Sequence, residues 1–212
     1  MLITPDLLPS AGTAQCDPFV VRCADEHAPT RLLSEWTFRR QPLVRCYLSA
    51  FDALIDTVAL CASGDSLYQA VSVSDIPEDA PIDGDTQRSI VVHLGWRARN
   101  YRVLQRPDGR LVGLGWVQPP CPAGPSIEID RRIFFTMSQL FESAGLFAWR
   151  EVNQLLARRS KLRWATNALQ AINSSHSDRD TDVNDYDQIA MFDPEACEWH
   201  FVPRYRLPVA PF

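Results

Sequence analysis

The stretch from Ser89 to Val117 constrains the fold more than any other part of the chain. Ser89-Ile90-Val91-Val92-His93-Leu94 is rich in β-branched residues and reads as one strand, with Tyr101-Arg102-Val103-Leu104 as the next. Pro107-Asp108-Gly109 is a turn of the kind that joins paired strands: proline presets φ and glycine accepts φ > 0. Leu111 to Val117 completes the hairpin. The run Pro119-Pro120-Cys121-Pro122-Ala123-Gly124-Pro125 excludes a helix and reads as a stiff crossover. A chain with this region builds around a sheet.

The flanking segments supply further strands and the helices. Phe19–Cys23, Leu43–Leu48 and Leu67–Val73 read as strands. Ser49-Ala50-Phe51-Asp52 fits a helix start, with Ser49 as the cap. Phe51, Leu54, Ile55 and Val58 follow at helical spacing and are expected to pack on the sheet containing Val91 and Val103. Gly64 is the candidate left-handed cap at the helix end. Asp130 caps a second helix with Ile133, Met137, Leu140, Phe141 and Ala144 on one face, ended by Gly145. A third helix carries Trp149, Val152 and Leu156 inward. A fourth, after Ser160, carries Leu162, Ala165, Leu169 and Ile172 inward. Gln188–Phe192 and Glu198–Val202 form a last hairpin across Asp193-Pro194.

Strands, then helices, then strands, without βαβ alternation, predict an α+β fold with a mostly antiparallel sheet and about four helices. The 212 residues are read as a single domain, 1–212, with 119–125 as the candidate internal boundary. Residues 1 to about 17, with Pro5, Pro9, Gly12 and the adjoining Pro18, read as an irregular arm. The start, Met1-Leu2-Ile3-Thr4-Pro5-Asp6, has neither the basic nor the apolar region of a secretory signal. No apolar run approaches the roughly 20 residues of a membrane helix. A cytoplasmic address and reduced cysteines are therefore expected. Lys161 is the one lysine among 21 basic residues, a skew that suggests a GC-rich, bacterial genome.

Motifs for chemistry fall short. Asp178-x-Asp180-x-Asp182 opens like a calcium loop, but Val183 and Ile189 stand where the turn glycine and the bidentate glutamate belong. Cys197-x-x-His200 would need a second pair of zinc ligands, and Cys16, Cys23 and His27 fit no familiar spacing. The phosphate, dinucleotide and hydrolase signatures are missing from the sequence. His93, inside an apolar strand, reads as a satisfied core histidine. No catalytic residue, metal or cofactor is assigned.

Charge carries the remaining signal. Twenty-six acids against 21 bases give a net charge of −5, which argues against a general nucleic-acid binder. Arg97, Arg99, Arg102, Arg106 and Arg110, with Trp96 and Tyr101 interleaved, read as a hairpin that pairs with the protein's own acidic loops. Those loops are 75–87, with Asp79, Asp83 and Asp85, and 178–187, with Asp180, Asp182 and Asp185. Acidic loops on a scaffold steer and fix basic partners. The expected function is a non-catalytic protein-binding module for a basic protein, with those six aspartates as contact residues. One concrete form is an immunity or inhibitor protein that occludes a toxin. The alternatives are a structural subunit of a bacterial or phage assembly, and an enzyme with an unrecognised Cys/His or acidic site.

Overall fold

β-Branched residues around Ile90 favour an extended chain buried on both faces, and in the computed structural model this segment is the longest strand. The structure describes residues 13–14, 17–23, 32, 34–36, 42–64, 67–76, 87–122, 127–157, 161–174, 182 and 184–206. In chain order the strands are β1 (Thr13–Ala14), β2 (Phe19–Cys23), β3 (Ser34–Trp36), β4 (Pro42–Tyr47), β5 (Tyr68–Ser72), β6 (Gln87–Arg99), β7 (Arg102–Val103), β8 (Gly113–Pro122), β9 (Ile129–Asp130), β10 (Gln188–Asp193) and β11 (Glu198–Pro203). The α-helices are α1 (Ala50–Ser63), α2 (Arg131–Ser143), α3 (Trp149–Ala157) and α4 (Lys161–Ser174).

β1 pairs with β9, and the other nine strands form one mixed sheet around β6. β4 runs parallel to β6, and every other pairing among the described strands is antiparallel. This is the expected α+β class. The last hairpin joins the sheet through β10, which pairs with β6.

Each face of the sheet is covered by helix. Cys46, Leu48, Ile90, Val92 and Leu94 pack with Ile133, Met137, Leu140 and Phe141 of α2. On the opposite face Trp96, Ala98 and Val103 pack with Phe51 and Ile55 of α1 and with Ala168 and Ala171 of α4. Leu54 and Val58 are partly buried in the same cluster. The α1 face expected to lie on the sheet does so. Ser49 caps α1, accepting a hydrogen bond from the Asp52 N–H at 3.2 Å.

Several local expectations change. The first strand of the β region continues to Arg99, through a bulge between His93 and Gly95. Of Tyr101–Leu104 only two residues form a strand, and they pair with β6; β8 also pairs with β6. The Pro107–Gly109 turn survives as a tip closed by the Gln105–Leu111 bridge, with Gly109 at φ 87°. Pro119 to Pro122 belong to β8 rather than to a crossover. β8 has β6 as its one neighbour among the described strands, and an edge tolerates residues without an N–H. Gly64 is extended at φ −154°, so α1 ends without a left-handed cap, whereas Gly145 follows α2 at φ 82° as expected. Leu169 is 47% exposed. α4 instead turns Ala168 and Ala171 inward, because small side chains let it lie close to α1.

Candidate functional site

Asp79, Asp83, Asp85 and Asp180 lie outside the described residues. Asp182 and Asp185 lie in the exposed segment that leads into β10. Asp182 accepts a hydrogen bond from the Asn184 N–H at 3.0 Å, a turn closed by an aspartate side chain. Asp185 accepts from Arg99 at 2.7 Å while its side chain stays 69% exposed. Arg97 donates to Asn184 at 3.0 Å, and Arg97 and Arg204 both sit over the Tyr186 ring, 5.0 and 4.4 Å from its centre. The arginine hairpin thus meets the acidic segment. An exposed ion pair of this kind is worth about 0–1 kcal/mol, so its consequence is position more than stability.

At the other end of β10 the sheet divides. His93 pairs with Tyr47 of β4 on one side and Gly115 of β8 on the other. Trp96 pairs with Ala190 of β10 and Gly113 of β8. β8 and then β7 follow one side of β6, so β4 and β10 share the other side, and their carboxyl ends meet beside Leu94 and Gly95. Gly95 permits the junction. Its φ is 148°, and a Cβ there would lie 2.8 Å from Ile189 Cγ2 and 2.9 Å from Met191 Sδ.

Where the two strand ends meet, the chain leaves the sheet on both sides of the junction. Here a cleft of about 160 Å³ opens between the start of α1, the α2–α3 connection and the β10–β11 turn. Its walls are aromatic. Phe51 stacks on Phe192 at 5.4 Å, and Phe141 stacks on Trp149 at 4.6 Å. Phe147, also lining it, is 76% exposed. Asp193 and Glu195 bring carboxylates. Asp193 Oδ1 accepts from the N–H groups of Glu195 and Ala196 at 2.8 and 3.2 Å, which shapes the turn, and its Oδ2 lies 3.9 Å from His200 Nε2.

Next to the junction, on the α1 face, lies a buried polar cluster. Arg45 Nη1 lies 2.7 Å from Asp56 Oδ2, and the Tyr47 hydroxyl donates to the same oxygen. Burial works against the Arg45 charge, but Tyr47 and Asp56 outweigh it and raise its pKa. His93, beside Tyr47 and Trp96, is held well below the usual histidine range by burial and then by Arg45. Asp52 is pushed up to about 7, chiefly by burial. Asp52 Oδ2, His93 Nε2 and Trp96 Nε1 are buried without a hydrogen-bond partner among the described residues. His93 is thus a core histidine, as expected, but not a fully satisfied one. Such groups carry a desolvation cost, which makes the region beneath α1 electrostatically costly.

No group of three His, Cys, Asp or Glu among the described residues is placed to hold a metal. Cys23, Cys61 and Cys197 are free thiols, and Cys46 is buried. No helix among the described residues is long and apolar enough to cross a membrane. The cleft was not legible in the sequence, because its aromatic residues come from positions 51, 141, 147, 149 and 192. Asp193 was visible only as a turn residue before Pro194, and Glu195 carried no signal. No family model, curated protein or solved structure matches this chain.

Proposed function

We propose that this protein is a non-catalytic binding module whose partner is a basic protein. The observation that supports the reading is the placement of carboxylates about the β10–β11 hairpin. Asp182, Asp185 and Asp187 precede β10 as exposed residues. Asp193 and Glu195 line the cleft in the turn, and Glu198 is exposed at the start of β11. With a net charge of −5, this arrangement favours encounter with a basic surface. An inhibitor or immunity protein that covers a basic toxin, such as a nuclease, is the concrete form. Asp79, Asp83, Asp85 and Asp180 remain proposed contacts on sequence grounds.

The test is affinity capture from the native host with two baits. One is the wild type, and the other carries Asp182→Asn, Asp185→Asn, Asp193→Asn and Glu195→Gln. The expected result is a basic protein retained by the wild type, released by salt, and absent from a variant that melts like the wild type. Equal retention by both baits, or no basic protein on the wild type, overturns the reading.

A further inference from the structure

We infer that the cleft at the β4–β10 junction receives a single arginine side chain of the basic partner. The inference rests on the reading of a basic partner and names the chemistry of one contact.

Size comes first. Sites for drug-sized ligands run from about 300 to 1,000 Å³. At about 160 Å³ this cleft is smaller, close to the roughly 150 Å³ cavity that takes one benzene ring. It has room for one planar group of that size. The lining gives the sign and the shape. Phe51, Phe192, Phe141 and Trp149 are buried and stacked in pairs, so they form the apolar floor, and Arg150 already lies 5.4 Å from the Trp149 ring centre. The ring open to a ligand is Phe147 at the rim, which is largely uncovered. Glu195 is exposed beside them. Asp193 adds negative charge while one of its oxygens holds the turn. Aromatic faces attract cations, and a carboxylate accepts two parallel N–H groups from a guanidinium. Guanidinium is flat and weakly hydrated, so it stacks and enters the cleft at lower cost than the compact, strongly hydrated lysine ammonium.

The experiment is a ¹H–¹⁵N NMR titration of the full chain with three blocked tripeptides, Gly-X-Gly, where X is arginine, lysine or neutral citrulline. Arginine is expected to move the amide signals of Phe147, Asn153 and Glu195 and the Trp149 indole signal, saturably. Lysine binds about two- to fivefold more weakly, the size of an exposed cation–π contact, and citrulline leaves the signals in place. Glu195→Gln and Phe147→Ala, both changes at exposed side chains, each weaken the arginine peptide by a similar factor. Unmoved cleft signals, or equal shifts with citrulline, overturn the inference. If those signals stay still while a basic partner is captured in a salt-dependent way, the arginine pocket falls and the broader reading stands. If the arginine peptide binds and no basic protein is captured, arginine recognition stands and the protein-partner reading falls.

Discussion

Asp56 of α1 is buried, and its carboxylate holds both the Arg45 guanidinium and the Tyr47 hydroxyl. Removing one member of a buried charged pair strands the other in a medium that solvates it poorly. Asp56→Ala is expected to lose about 3–5 kcal/mol in a urea titration, and a loss under about 1 kcal/mol would mean that water reaches Arg45. Asp52 behaves differently. Burial raises its pKa from 3.8 to about 7, Ser49 pulls it back in part, and Asp56 pushes it further up. The folded state therefore holds an extra proton between those values. The stability from this group is complete below about pH 4 and is lost as pH rises through 7. Asp52→Asn is expected to flatten that decline and to be more stable than the wild type at pH 8, read from urea midpoints across pH. His93 has the opposite sign. Its folded pKa is depressed, so its contribution is present above the ordinary histidine range and is lost on acidification. Its ring resonances are expected to stay fixed where an exposed histidine titrates.

Elements meet through small residues. Ala168 and Ala171 are fully buried where α4 meets α1 and the sheet, while Leu169 points outward. Ala171→Leu overfills that contact and is expected to cost about 1–3 kcal/mol. Leu169→Ala is expected to stay under about 1 kcal/mol, because its side chain is already half in water. Denaturation midpoints that reverse this order would rotate α4. Gly95→Ala combines an unfavourable φ with close approach to Ile189 and Met191, and about 2–4 kcal/mol is expected. Gly145→Ala has a positive φ but nothing within 4 Å, so about 1–2 kcal/mol is expected. The sequence carried the local part of this. Helical and alternating periods place α1, α2, β4 and the β10–β11 hairpin, because each period reports which side chains face a core. It carried less where pairing decides. That β10 lies in line with β4 depends on each strand pairing with β6, about 46 and about 92 residues away in sequence, which no local pattern encodes. On α4, Ile172 packs inward as expected, but Leu169 was misplaced and Ala168 and Ala171 were missed, because leucine gives a strong hydrophobic signal and alanine a weak one. In the sequence Asp52 and Asp56 are acids on an apolar helix and Arg45 is a base in an apolar strand, with nothing to pair them. Only the packing of α1 on β4 brings Arg45 and Asp56 together.

The whole molecule sets a carboxylate-bearing hairpin at the margin of a sheet whose centre is covered by helix on each face. Asp182 and Asp185 were legible as an acidic run. Asp193 and Glu195 gain their meaning from the cleft. Charge at these positions acts before contact, over the Debye length of about 30 Å at 0.01 M salt and about 8 Å at 0.15 M. Rim charges change encounter more than residence, so the signature is kinetic. The decisive measurement is the stopped-flow association rate of the captured partner across that salt range, for wild type and for the Asp182→Asn, Asp185→Asn, Asp193→Asn, Glu195→Gln variant. The account predicts a wild-type rate at least about tenfold faster at the low end, a much flatter line for the variant, and dissociation rates that change less in both. Two coincident, salt-independent lines would contradict it and leave these carboxylates as solubilising groups.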